Sequence, residues 1–518
     1  ANERLISGEV LPQIPDTRIN NDAKETIATT NSVNQISLDA PLGDATLSQL
    51  SNITSLLSAI RSENTEEPRS HYSPTQYSHA SGPVMSAAEL LNKLAIIQHE
   101  PKTTINYIKK FVSGLVFKDK TESPQALTEN DDNTISLVSM FFDFIFDDDN
   151  ISTAIRFQIS RLQLPILKSA LKDRSFLTSP THPGRALINT MAAVGISFDE
   201  QKTDNKDRIY KVIETITNDI NADYSVHDDV FTPALTALNN AVTKEARRSD
   251  LIEHRTQQAE SGRAKLKNAK NVVKGLLIEK LTGANMPNEV KEFMTSTWLN
   301  VLVMTHLKKG ENSSEWISAS QTIDDLVWVC QAHSSPRAID RINQFKTELI
   351  GRIQSGMQLV EEKNEGQTKL LAYFEELLHL ASENTLDLLS LEINNAADVQ
   401  DVLQDEEDKE RLAALNREKE QSLTFENLQF ANNMPIGTWL MYRPKDSHHE
   451  HRCKLSSKLN DSDTYIFVNR HGFKVFEKTR KAFAIDIQEN RVTTLDCAPL
   501  FDRAISTISK NLKIQNYN

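Results

Sequence analysis

Residues 436–442, Ile-Gly-Thr-Trp-Leu-Met-Tyr, read as a strand. With them the chain leaves the helical period of 3.6 that governs everything upstream and takes up a period of two. Four further stretches share this texture: 464–469 (TYIFVN), 473–476, 482–486 and 491–495. Asn460-Asp-Ser-Asp463 and Asn469-Arg-His-Gly472 supply turns between them. Short strands at this spacing argue for a small barrel. Beyond it, Leu500, Ala504, Ile505 and Ile508 fall on one face of a terminal helix over 499–512. His448, His449, Glu450 and His451 are read as a hairpin loop between strands, because neighbouring side chains of one strand cannot all face one ion.

Upstream, spacings of three and four recur from 85 to about 395. Residues 137–146 (LVSMFFDFIF) are strongly apolar and end on Asp147-Asp-Asp149. That acidic run can bind a divalent cation or cap the next helix, with Asp149 or Asn150 serving the amides ahead of Ile151. Residues 244–280 form a long charged helix with a narrow apolar stripe at Leu266, Ala269, Val273, Leu276 and Leu277, of coiled-coil character. Its basic residues Arg263, Lys265, Lys267, Lys270 and Lys274 either track phosphates or stay solvated and paired. Trp298, Trp316 and Trp328 are read as core anchors, with Ser313 or Ser314 capping the helix that holds Trp316.

The domain boundaries that follow are 1–84 as a poorly ordered tail and linker, 85–243 as a helical domain and 244–283 as the long charged helix. A second helical domain covers 284–396, a connector helix 397–431, and the barrel with its terminal helix 432–518. Within the tail only 47–60 has helical spacing; 63–83 has almost no aliphatic residue to offset its ordering entropy.

Composition narrows the chemistry. The chain has 518 residues with 15 Gly and 17 Pro. Glycine is far below the average of about 7%. There is no G-x-G-x-x-G or P-loop pattern, no C-x-x-C, no G-x-S-x-G elbow and no H-E-x-x-H. Nothing calls for a metal or cofactor, and the reading is of a non-enzyme. Three cysteines argue against a disulfide scaffold, and no apolar run is long enough to span a bilayer. The first ten residues lack a leader pattern and the chain opens on Ala1, so an upstream piece is expected to be missing; the expected compartment is the cytoplasm. The formal charge is −13. Residues 434–518 hold 14 Lys/Arg and 9 Asp/Glu, +5, which leaves −18 for the rest. A basic module on an acidic body takes either an anionic ligand or a dock on its acidic neighbour.

Two groups of residues resemble a known family. Leu164-Pro-Ile-Leu-Lys-Ser-Ala-Leu-Lys-Asp173, Thr181-His-Pro-Gly-Arg185 and Leu187-Ile-Asn189 are one; Gly437-Thr-Trp439, Lys454-Leu-Ser456, Tyr465 to Arg470, Gly472 and Phe501-Asp-Arg-Ala504 are the other. The pattern resembles an uncharacterised proteobacterial family often labelled thymidine phosphorylase, a label that the missing glycine-rich phosphate loops contradict. The resemblance implies a PilZ-like barrel and, with it, cyclic di-GMP as a possible ligand. The PilZ motifs are incomplete: Arg411 and Arg417 have another spacing, and Asn469 to Gly472 lacks the central serine. The resemblance leaves Arg443, Lys445, Arg452, Lys454 and Arg470 as phosphate cations, with Asn469 and Gly472 as the motif's remnants.

The expected fold is therefore mainly α: a multi-helix body, a small C-terminal β-barrel of PilZ-like kind and a terminal helix. The expected function is a non-catalytic regulatory or adaptor role through protein partners. A cyclic dinucleotide receptor is the alternative and RNA binding a lesser one.

Overall fold

A computed structural model describes residues 52–58, 83–98, 126–199, 207–223, 229–331, 335–360, 365–383, 392–393, 399, 403, 423–445, 447 and 449–517. Most of the connector read over 397–431 and most of the tail read over 1–84 lie outside these residues.

In chain order the helices are α1 (Ala87–Gln98), α2 (Glu129–Asp147), α3 (Thr153–Ser160), α4 (Gln163–Lys172), α5 (Ser175–Thr178), α6 (Pro183–Ser197) and α7 (Arg208–Asp223). The 51-residue α8 (Phe231–Leu281) follows. Then come α9 (Asn288–Phe293), a π-turn at Met294–Trp298, α10 (Leu299–Lys309), α11 (Ser314–Val329), α12 (Pro336–Met357) and α13 (Glu365–Ser382). The C-terminal module holds α14 (Phe425–Asn433), α15 (Arg480–Gln488), α16 (Leu500–Tyr517) and five strands. These are β3 (Trp439–Tyr442), β4 (His451–Leu459), β5 (Thr464–Val468), β6 (Lys474–Thr479) and β7 (Val492–Thr494), while β1 (Asn285–Met286) and β2 (Glu392–Ile393) pair by themselves. The module's strands form one antiparallel sheet in the order β6-β5-β4-β3-β7.

Three apolar cores result. The first joins α1 to α7, the start of α8 and, from the other end of the chain, α16. Phe501 of α16 packs within it against Phe141 (ring centroids 4.9 Å apart, tilted) and edge-to-face against Phe176 (6.0 Å). Ile53 and Leu57, from the stretch read as tail, are fully buried there, because an i, i+4 apolar pair on one helical turn can reach the core. The second core joins the last third of α8 with α9 to α13. Trp298 is its anchor, 1% exposed, with its indole N–H donating to the Ala319 carbonyl at 3.1 Å. Ser313 caps α11 by accepting from the Trp316 amide. A Cβ at Gly356 would lie 2.5 Å from the Trp298 ring. Gly356→Ala is therefore expected to cost about 1–3 kcal/mol through overpacking, read as a lower denaturant midpoint with an unchanged slope. The third core is the module's own, built on Leu440, Tyr442, Leu455, Phe467 and Phe483.

α8 belongs to all three regions because its buried face changes along its length. Phe231 and Leu238 face the first core, and Ser249, Glu253 and Glu260 are buried against the sheet. Ala269, Val273, Leu277 and Leu281 enter the second core. At about 100° per residue, the side that carries Ala269 and Val273 is opposite to the side that carries Glu253. The apolar stripe read as coiled-coil seam thus packs into a globular core, and Leu266 is left 41% exposed.

Three local readings need correction. Residues 482–486 are helical, not a strand: Thr479 accepts from the Ala482 amide at 3.1 Å and starts α15, which buries Phe483 and Ala484. Residues 451–459, the first of them read as loop, form the longest strand of the sheet. Asp148, rather than Asp149 or Asn150, is the acceptor before α3; its carboxylate takes the Asn150 amide at 3.1 Å and pairs with Arg503 at 2.7 Å.

Candidate functional site

The sheet module meets the middle of α8 through polar side chains. β4 alternates in the ordinary way: Cys453 and Leu455 enter the module core, while Lys454 and Ser456 turn to α8. A bulge between Leu455 and Ser457 leaves Ser456 as the extra residue. Lys454 Nζ donates to Glu253 Oε2 at 2.6 Å, and Ser456 Oγ donates to Glu253 Oε1 at 2.8 Å. Gln257 Nε2 donates to the Ser456 carbonyl at 3.0 Å and to its hydroxyl at 2.9 Å. Both oxygens of a buried carboxylate are thus satisfied, which is the condition for tolerating it away from water.

The β5–β6 hairpin completes the junction. Asn469 Oδ1 accepts from the amides of His471 (3.0 Å) and Phe473 (3.1 Å), and Gly472 takes φ +83°. The turn presents carbonyls to α8: Ser249 Oγ donates to the Arg470 carbonyl at 2.7 Å and Thr256 Oγ1 to that of Gly472 at 2.9 Å. A Cβ on Gly472 would sit 2.4 Å from the Ser249 carbonyl oxygen and 2.6 Å from the Glu253 nitrogen, so glycine is what lets the two backbones meet. The Arg470 guanidinium pairs with Asp207 and lies over the Phe198 ring at 5.1 Å. His471 Nδ1 is 2.8 Å from Glu245. Lys474 bridges Glu260 and Glu477, each at 2.8 Å. Partial burial lowers the Lys474 pKa, but the two carboxylates outweigh it and hold the ammonium above its ordinary value.

A second set of bonds ties the module to the first core. Arg452 donates to the carbonyls of Asn150, Ile196 (3.0 Å) and Asp149 (3.1 Å). Behind it, Arg185 lies 3.9 Å from the Phe501 ring centroid and donates to Asp502 at 3.1 Å, while Asn189 accepts from the Phe501 amide at 3.1 Å.

The residues singled out as ligand cations therefore separate into two groups. Arg452, Lys454, Asn469, Arg470 and Gly472 lie in the junction between the module and the helices. Arg443 and Lys445 lie on the exposed loop between β3 and β4, where Arg443 pairs with Glu450. They do not converge. His449 sits on the same loop, and His451 opens β4 facing Asp199 at 3.7 Å; His448 lies outside the described residues. The carboxylates Glu245, Glu253 and Glu260 were absent from the sequence reading. Their signal was available, since they recur at about two-turn intervals and share one face of a helix.

Part of the module's aromatic set packs inward, with Phe467 stacked on Phe476 at 4.6 Å and Tyr442 4.3 Å from Phe476, while Phe425, Phe430 and Phe473 are exposed. This small antiparallel sheet agrees with one of three domain models of a single family that match the chain. They are described as the second domain (84–227), the third domain (259–375) and the C-terminal tudor domain (426–495) of a protein of unknown function, DUF1631. The chain belongs to the DUF1631 family. No curated protein and no solved structure matches it. The uncharacterised family expected from the motifs agrees with this membership. The expected PilZ-like likeness is not supported, because the model that fits the module is a tudor domain, and cyclic di-GMP signalling loses the likeness on which it stood. Among the described residues no helix is long and apolar enough to cross a membrane.

Proposed function

We propose that this DUF1631 protein is a non-catalytic adaptor that works through protein partners, with the tudor-like module as a docking element held in register with the helical body. The observation that carries this reading is α8, a single 51-residue helix that packs against the first core, the module and the second core in turn. A shared helix of this kind fixes the separation of three surfaces, which serves a scaffold. The tudor match supports an interaction role as well.

The reading is tested by affinity purification of the tagged full chain from its native cells, before and after chemical crosslinking. One or a few proteins are expected to be retained in constant ratio to the chain. Recovery no different from a tag-only control in both preparations would sink the reading.

A further inference from the structure

α8 segregates its charge. Glu245, Glu253 and Glu260 turn toward the module, where His471, Lys454 and Lys474 meet them. The reverse face is basic. At about 100° per residue, Lys244, Arg247, Arg248, Leu251, Arg255 and Lys265 all lie within about 60° of the direction opposite Glu253. All six are exposed, and none of the five cations forms an ion pair with a described residue. Leu251 stands among them 66% exposed. From 232 to 281 the helix has no Phe, Tyr or Trp.

We propose that this face is the docking surface for an acidic, amphipathic α-helix of a partner protein, whose carboxylates meet the five cations and whose apolar side chains cover Leu251. The assignment rests on the adaptor reading and names the partner's chemistry. Charge complementarity carries it: on a chain of formal charge −13, a row of exposed cations with no ion-pair partner among the described residues is where an acidic partner is steered. Leu251 favours a protein over a polyphosphate, because an exposed leucine gains nothing from phosphate but buries against an apolar helix face. The lack of aromatic side chains removes the stacking platform that single-stranded nucleic acid uses. The row from Lys244 to Lys265 is about 30 Å long at 1.5 Å per residue, which matches a partner helix of about 20 residues.

The test uses the full chain and a fluorescein-labelled synthetic peptide of about 20 residues built from Glu and Leu in helical register, with binding read by anisotropy. The triple variant Arg247→Glu/Arg248→Glu/Arg255→Glu should weaken binding about 30-fold, roughly threefold for each exposed charge pair lost. Leu251→Asp should weaken it about tenfold through lost apolar burial. Both variants should melt at the wild-type temperature, since the altered side chains are exposed. Equal affinity in the triple variant overturns the proposal. So does tighter binding of a uridine oligonucleotide, or of phosphatidylserine vesicles, than of the peptide. A peptide that fails to bind while affinity purification still recovers a partner overturns this surface alone and leaves the adaptor reading standing.

Discussion

Glu253→Ala is expected to destabilise the junction between module and α8 by about 3–5 kcal/mol, the cost of leaving one member of a buried ion pair unpaired. The side chains of Lys454 and Glu253 are 8% and 12% exposed, so water cannot replace the lost partner. Ser456 and Gln257 lose the carboxylate around which they are arranged. Hydrogen exchange should localise the effect, with amides of β4 and of residues 469–474 exchanging faster while those of the second core keep their protection. The double variant Glu253→Leu/Lys454→Met separates a stabilising role from a positioning one. Replacing both charges by apolar groups of similar size should recover most of the stability. If Glu253→Ala leaves exchange in β4 unchanged, the pair does not hold the junction.

Gly472→Ala is expected to have an effect of similar size for a different reason. The residue takes φ +83°, which costs an L-residue about 1–2 kcal/mol by itself. The added methyl would also meet backbone atoms of α8 at 2.4 and 2.6 Å, and a helix backbone cannot yield as a flexible side chain can. The two together amount to about 2–4 kcal/mol, and the module must shift away from the helix. Gly437→Ala is the control: φ is +95° and nothing lies within 4 Å, so only the conformational cost of about 1–2 kcal/mol remains. Equal denaturation midpoints for the two variants would show that the close approach at Gly472 carries no energy.

These two sites also show where sequence reasoning stops. The hairpin at Asn469–Gly472 was legible because asparagine and glycine have few uses in that order other than a turn. That the same glycine admits a helix more than two hundred residues away in the chain was not. β4 was missed because periodicity assumes that one strand face is apolar and the other wet. Here the second face carries Lys454 and Ser456 yet is buried, since its ligand is a carboxylate instead of solvent. Residues 482–486 failed in the opposite way: five residues are too few to separate a period of two from 3.6, and the cap at Thr479 that decides the matter lies outside the window. The cations were picked out as candidate phosphate ligands. Their partners were not found, because a basic residue carries the same local signature whether it awaits a phosphate or rests on a distant glutamate.

By itself, then, the sequence determined the mainly helical body, the change of period near residue 430, the small sheet and the terminal helix, because each rests on local periodicity and turn chemistry. Only the tertiary structure decided that Phe501 and Arg185 belong to one cluster, that α8 turns a different side to each of its three neighbours, and that the module's cations lie on Glu253, Glu260 and Asp207. Those pairings depend on how a helix already formed is rotated against its neighbours, and no window of adjacent residues contains that rotation.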